Sequence, residues 1–223
     1  MTAASLLCLL AVALVPPQNN SQEIEAIMSG LEEASAQLRS FSASFRQEEV
    51  DEFGDRTTFN GNIRYLAPDK WRMISELNGR PVEEVVSDGE RGWMVRHSLR
   101  RIEVVSLSSI NRRSGGISFT GAARMLGENY LITLAGTEEL PTGAAYRLHC
   151  LPIEGAPNAD PSISSLELWI NVEQPAPVIK MLLRQRDGVV ITWELQEVRR
   201  NVEVDPRQFE FHRPRGYEVI QHE

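Results

Sequence analysis

The residue types that most often carry chemistry are few in this chain and widely spaced. The histidines include no pair at the spacing that places two imidazoles on one helix face, and there is no Cys-x-x-Cys. Neither a glycine-rich phosphate loop nor a Gly-x-Ser-x-Gly turn occurs. His149 and Cys150 are adjacent on a predicted strand, so their side chains point to opposite faces. The sequence therefore predicts no enzyme, with no catalytic residue, no metal site and no cofactor.

Large apolar side chains show a more ordered pattern than reactive ones. Trp71 and Met73 are two residues apart and share one strand face, as do Trp93 and Val95. If the sheet curls, these faces line its concave side as the wall of a hydrophobic cavity. The residues alone favour an ordinary hydrophobic core covered by helices over a ligand cavity. Both interpretations remain open at this point.

A helix and a long series of strands position these side chains. Apolar residues at helical spacing from Ile24 to Leu38 predict one amphipathic helix, and from Phe41 the period changes to two. Residue pairs typical of tight hairpin turns are Gly54-Asp55, Asn78-Gly79, Asp88-Gly89 and Asp187-Gly188. With the Phe41 strand, the further strands are predicted at 57–66, 70–77, 82–87, 91–97, 101–105, 130–135, 144–150, 163–171, 178–186 and 189–199. A mainly antiparallel sheet of about eleven strands must curl or close. Residues 117–126 predict a second, short apolar helix.

Composition limits the class of partner. The chain has 223 residues and a formal charge of −8, which argues against nucleic acid because such binding depends on clustered cations. The basic residues Arg96, Arg100, Arg101, Arg112 and Arg113 nevertheless lie close together in the sequence. They form either a solvated loop or a docking patch for an anionic headgroup or an acidic protein surface.

The N-terminal segment predicts export. No charged side chain precedes Glu23, and the apolar run from Ala4 to Val15 is too short for a membrane span but suits a secretory signal. The alternative is a buried N-terminal helix. We expect residues 1–20 to be a signal peptide cleaved after about Ala13 to Asn20. Residues 21–223 then form a single domain, which we expect to be monomeric.

Four segments in sequence resemble one known family. They are Ser40-Phe-Ser-Ala-Ser-Phe-Arg-Gln47, Gly61-Asn-Ile-Arg-Tyr-Leu-Ala-Pro-Asp-Lys-Trp-Arg-Met73, Val86-Ser-Asp-Gly-Glu-Arg-Gly-Trp93 and Phe209-Glu-Phe-His-Arg-Pro-Arg-Gly-Tyr-Glu-Val219. Together they look like the periplasmic outer-membrane lipoprotein carrier family, the LolA-like proteins. The resemblance implies an incomplete antiparallel β-barrel of about eleven strands, covered by an N-terminal amphipathic helix and a short lid helix.

The resemblance also implies a function and partners. A LolA-like protein takes the acyl chains of lipoproteins from an inner-membrane lipoprotein-release complex and passes them to an outer-membrane receptor. It implies cavity positions for Trp71 and Met73, and lid contacts by Phe119, Met125 and Leu126. Ala67 departs from the family pattern, which has a lid-holding arginine immediately before this proline; Arg64 and Arg72 are the nearby cations that would have to replace it.

Two alternatives to a carrier remain at this stage. A periplasmic regulatory module of the same fold would sense lipid or lipoprotein and signal to a partner. An envelope lipid hydrolase would instead cleave its ligand.

Overall fold

The computed structural model describes residues 20–106, 122–156 and 160–221. These ranges hold two α-helices, α1 (Asn20–Gln37) and α2 (Ala122–Asn129), and a short 3-10 helix at Pro206–Phe209. The strands there are β1 (Ser40–Val50), β2 (Arg56–Leu66), β3 (Lys70–Leu77), β4 (Arg80–Asp88), β5 (Gly92–Arg96), β6 (Arg101–Val105), β7 (Tyr130–Leu140), β8 (Gly143–Pro152), β9 (Ile163–Asn171), β10 (Lys180–Gln185), β11 (Val190–Arg200) and β12 (Glu218–Gln221). Residues 1–19 of the predicted signal peptide and 117–121 of the predicted short helix lie outside the described residues.

All the described strands belong to one open sheet. Their order is β12-β6-β5-β4-β3-β2-β1-β11-β10-β9-β8-β7, and the edge strands β12 and β7 are not paired with each other. Neighbours are antiparallel except for β12, which pairs in parallel with β6. The incomplete β-barrel with an N-terminal helix is thus confirmed, and the described residues contain twelve strands where about eleven were predicted.

The four predicted turn pairs all occur where the chain reverses. Each contains a glycine with positive φ: +88° at Gly54, +72° at Gly79, +98° at Gly89 and +97° at Gly188. Glycine has no Cβ to clash in this region of backbone space, so these positions close the hairpins without strain.

One face of the sheet, which we call the inner face, packs against both helices. Leu31 of α1 and Leu126 of α2 belong to one buried hydrophobic cluster with Phe41 of β1 and Leu148 of β8. We call this the main cluster. In the sheet order β1 and β8 are four steps apart, about 19 Å in a flat sheet. Residues of the strands between them, such as Leu195 of β11 and Leu166 of β9, belong to the same cluster, so the helices cover one continuous apolar surface.

The opposite face, the outer face, contacts the C-terminal segment. The 3-10 helix packs against β3 and β4, and its Phe209 is fully buried. The ring of Trp93 stacks on that of Phe211 with centroids 4.9 Å apart. Arg72 Nη1 donates to the Gln208 carbonyl oxygen at 3.0 Å. Residues 206–211 are thus fixed to the side of the sheet away from the helices.

Candidate functional site

Trp71 and Met73 lie on the inner face of β3, as their shared period predicts. Both are half-buried and pack against the main cluster. Both also pack against a second buried cluster, formed by Val85, Met94 and Val105 on β4, β5 and β6. The two side chains thus connect the helix-covered core to a further apolar region of the inner face.

Trp93 and Val95 do not belong to this surface. The β4–β5 register pairs Val85 with Met94, so the inner-face residue of β5 is Met94. Trp93 and Val95 lie on the outer face, and the sequence-based assignment of this pair to the same wall as Trp71 and Met73 is wrong. The reason is local: residues 93–95 are all apolar, so alternation does not show which face of β5 is buried.

Three inner-face residues, Val85, Met94 and Val105, were missed in the sequence. A signal for them exists, because the Asp88-Gly89 turn joins β4 to β5 and a tight turn fixes the register of its hairpin. Once Met73 is placed on the inner face, its β4 partner Val85 and the β5 partner Met94 follow from register alone.

Of the predicted lid residues, Leu126 is buried in the main cluster and Met125 is half-buried. Phe119 lies outside the described residues. Helix α2 continues to Asn129, three residues beyond the predicted end, where the Asn129 side chain donates to the Met125 carbonyl oxygen at 2.7 Å. On the solvent side, Arg124 and Glu128 form an exposed i,i+4 pair at 3.8 Å. Helix α2 therefore has one face on the sheet and one in water.

The predicted basic patch is partly neutralised by carboxylates. Arg96 Nη1 lies 3.1 Å from the buried Glu103 carboxylate, and Arg101 Nε lies 3.9 Å from Glu218. Arg100 is exposed in the β5–β6 turn. Arg112 and Arg113 lie outside the described residues. The three described arginines therefore do not form a uniformly positive surface.

The turn between β2 and β3 holds the departure from the family pattern. Ala67 is exposed there, and Tyr65 Oη donates to the Pro68 carbonyl oxygen at 2.9 Å. Burial, with a smaller effect of Asp69, raises the pKa of Tyr65 to about 12. Arg64 and Arg72 are register partners on the outer face, and Arg72 lies 2.5 Å from the Glu84 carboxylate. Neither arginine faces the helices, so neither replaces the family's lid-holding arginine.

Cys150 is a core residue rather than a reactive one. Its side chain is fully buried in the main cluster, and burial raises the pKa of the thiol to about 12. The described residues include no group of three His, Cys, Asp or Glu that could hold a metal ion. Nor does any helix in the described ranges have the length and hydropathy needed to cross a bilayer.

A cavity of about 190 Å³ opens between α1 and the sheet. Pockets that enclose whole small-molecule ligands usually measure about 300–1,000 Å³. A whole acyl chain therefore does not fit this cavity.

Comparison with known proteins agrees with this architecture. No protein-family model matches the chain. The outer-membrane lipoprotein carrier protein of Alkalilimnicola ehrlichii is 30% identical over 188 residues, which cover 82% of this chain and 78% of that protein.

Solved structures share the fold at low sequence identity. An uncharacterized conserved protein from Thermus thermophilus superposes with a TM-score of 0.60 at 14% identity, covering 90% of this chain and 100% of that one. MucB superposes with a TM-score of 0.55 at 18% identity, covering 86% of this chain and 63% of MucB. At these identities the likeness concerns the fold alone.

An open, curled sheet with an apolar inner face under two described helices defines the class as a half-barrel with a helix-covered interior. Within that class, the chain belongs to the outer-membrane lipoprotein carrier family, the LolA-like proteins.

Proposed function

We propose that this protein is a periplasmic carrier that binds the acyl chains of lipoproteins on its inner face and moves them from the inner to the outer membrane. Residues 1–20 act as the signal peptide that directs export. An inner-membrane lipoprotein-release complex loads the carrier, and an outer-membrane receptor unloads it.

The observation that carries this proposal is the continuity of the apolar inner face. It runs from the main cluster under α1 and α2, through Trp71 and Met73, to the second cluster on β4–β6. Such a surface suits a ligand recognised by its hydrocarbon rather than by polar groups, because hydrophobic contacts are non-directional. Family membership points to the same class of cargo.

Helix coverage makes reversible binding possible. Burial of a methylene contributes about 0.8 kcal/mol, so an acyl chain of about fourteen methylenes gains about 11 kcal/mol when it leaves water. In this structure α1 and α2 cover apolar surface, and Leu31 and Leu126 are buried. A chain that displaces the helices gains only the difference between its contacts and theirs, which permits release.

The test is a transfer assay with inner-membrane vesicles that contain the release complex and a lipoprotein. We expect the protein to bring intact lipoprotein into the soluble fraction. Trp71→Ala should weaken retention of the lipoprotein about tenfold or more, because a buried aromatic contributes at least about 1.5–3 kcal/mol.

Trp93→Ala is the matched control, since it removes a half-buried tryptophan from the neighbouring region but on the outer face. It should lower the melting temperature and leave transfer per folded molecule unchanged. Absence of release by the wild-type protein, or an equal loss in both variants, would contradict the proposal.

A lipid-sensing regulatory module is the second candidate. It is favoured by the fold shared with MucB of Pseudomonas aeruginosa, whose structure in complex with MucA is known. The present chain covers 61% of the MucB chain in that structure. Stable lipid binding without transfer in the vesicle assay would favour this candidate. A cleaved lipid product would instead indicate a hydrolase.

A further inference from the structure

The turn between β1 and β2 holds a phenylalanine out in water. Phe53 lies at the tip of this turn and is 83% exposed, the largest fraction among the exposed large hydrophobic residues of the described ranges. An apolar side chain stabilises the folded state only in so far as folding removes it from water. The stability of the fold therefore does not account for the position of this ring.

Hydrogen bonds fix the backbone that presents Phe53. The Asp51 carboxylate accepts from the Phe53 N–H and from the Asp55 N–H, both at 2.9 Å. The Gly54 N–H donates to the Asp51 carbonyl oxygen, and the Asp51 N–H donates to the Asp55 carbonyl oxygen, both at 3.0 Å. Since these four bonds order the turn in advance, a partner that binds Phe53 does not have to supply that ordering entropy.

Acidic side chains surround the tip of this turn. Glu52 and Asp55 flank Phe53 and are exposed. The β10–β11 turn lies beside them, because the point where a Cβ of Gly188 would stand is 3.7 Å from the Cα of Glu52. Asp187 in that neighbouring turn is also exposed. We call Glu52, Asp55 and Asp187 the acidic collar.

The cations that follow or precede the collar in the sequence are directed elsewhere. Arg56 pairs with Glu48. Arg186 Nε donates to the Pro161 carbonyl oxygen at 2.9 Å. The surroundings of Phe53 therefore favour a positively charged partner surface.

This turn is distant from the proposed cargo surface. Strand β1 ends at Val50, about 33 Å along the strand from Ser40, where it follows α1. Trp71 lies at the level of Phe41, because both are register partners of Tyr65. A contact at Phe53 therefore need not involve Trp71 or the junction of α1 with β1.

We propose that the β1–β2 turn is a docking element that inserts Phe53 into an apolar pocket, rimmed by arginine or lysine, on a partner protein. Protein interfaces concentrate binding energy in a few aromatic anchors, and complementary charge around an anchor speeds association and selects the partner. A bilayer surface is the poorer match, because anionic lipids repel the acidic collar. The inference rests on the proposed function, since a carrier between two membranes has to meet proteins of those membranes.

The experiment is co-sedimentation of the full chain with vesicles prepared from the inner membrane and from the outer membrane. Protein-free liposomes made from the lipids of the same membranes show how much binding is due to lipid alone. We expect saturable binding to the vesicles of at least one membrane, weakened by salt because salt screens the acidic collar.

Phe53→Ser should weaken this binding at least about tenfold, as expected for loss of an aromatic anchor. Its urea midpoint should stay at the wild-type value, because the ring is exposed. Glu52→Lys reverses one charge of the acidic collar and leaves the ring in place; it should weaken binding and make it less sensitive to salt.

Leu99→Ser is the matched control. Leu99 is also a large exposed apolar residue in a turn, 59% exposed between β5 and β6, but Arg100 follows it instead of an acidic residue. This variant should bind the vesicles as the wild type does, since all variants carry the same N-terminal segment.

Equal vesicle binding by the wild type and Phe53→Ser, or an equal loss in Leu99→Ser, would overturn this inference. A Phe53-dependent difference that also appears with protein-free liposomes would mean that Phe53 contacts lipid, and the protein partner would be wrong. The lipoprotein transfer assay separates this failure from that of the carrier proposal. Release by the wild type without any effect of Phe53 leaves a carrier that lacks this docking element, whereas absence of release contradicts the carrier itself.

Discussion

The two faces of β3 are held to their neighbours by different kinds of contact. On the inner face, Trp71 and Met73 make hydrophobic contacts with residues of two clusters. On the outer face, Arg72 pairs with Glu84 and donates to the Gln208 carbonyl oxygen, while His97 Nδ1 lies 3.0 Å from Tyr217 Oη. Around Trp71, Arg72 and Met73 the contacts are thus apolar and non-directional on the inner side, whereas those on the outer side include directional ion pairs and hydrogen bonds.

The hydrophobic contacts of the inner face can be replaced by other apolar groups, whereas the hydrogen bonds and ion pairs of the outer face need specific partners. Hydrophobic contacts depend on area removed from water, so under the proposed function a lipid chain can replace the helices at little net cost. Hydrogen bonds and ion pairs depend on partner geometry, and an unmatched buried partner is costly. We therefore expect substitutions on the outer face to change stability and those on the inner face to change lipid binding.

The largest expected effect is on the outer face. Phe209→Ala empties a fully buried site beneath the 3-10 helix and should lower the free energy of unfolding by about 3–5 kcal/mol. Urea unfolding measures the change, and lipoprotein retention per folded molecule should stay at the wild-type level. If Phe209→Ala lost lipoprotein retention while its free energy of unfolding stayed unchanged, the assignment of stability to the outer face and lipid binding to the inner face would be wrong.

A smaller effect is expected from the outer-face ion pair. Arg72→Met removes the partner of Glu84 and the donor to Gln208, and should cost about 1.5–3 kcal/mol, the usual range for hydrogen bonds to charged groups. Arg64→Met is the control, because Arg64 is the exposed register partner of Arg72 and has no ion pair within the described residues. Its urea midpoint should shift little; equal shifts in both variants would argue that the pair adds no stability.

The third prediction concerns alkaline pH and the inner face. Burial raises the pKa of Tyr65 and of Cys150 to about 12, from ordinary values of 10.0 and 9.0. Between about pH 9 and pH 12 the unfolded chain releases protons that the folded chain retains, so the free energy of unfolding falls as pH rises. For each group, the free energy of unfolding falls by at most about 1.4 kcal/mol per pH unit.

Urea unfolding at about pH 8 and about pH 11 measures this slope. Tyr65→Phe should reduce it, because phenylalanine has no proton to release. A slope that is the same in the variant would mean that Tyr65 ionises alike in the folded and unfolded chains.

Much of the fold was predictable from local signals. The turn glycines and the change of period at Phe41 fixed most strand positions within a few residues. Strand β12 was not predicted, because four residues are too short to show alternation and its partner β6 is far away in sequence. Its pairing depends on tertiary contacts rather than on local propensity.

The candidate site was less predictable than the fold. Trp71 and Met73 were found because polar residues alternate with them on β3, which marks one face as buried. On β5 the apolar residues occupy both faces, since the C-terminal segment packs on the outer one. A sequence window cannot contain that distant segment, so the faces of β5 were assigned incorrectly.

Burial of Cys150 has a practical consequence for observing movements of the helices. A thiol with a pKa near 12 beneath the helices reacts with an alkylating dye only when the interior is uncovered. In the proposed mature form, which lacks residues 1–20 and therefore Cys8, Cys150 is the remaining cysteine. Its labelling rate then measures how often the helices uncover the interior, and no cysteine has to be introduced.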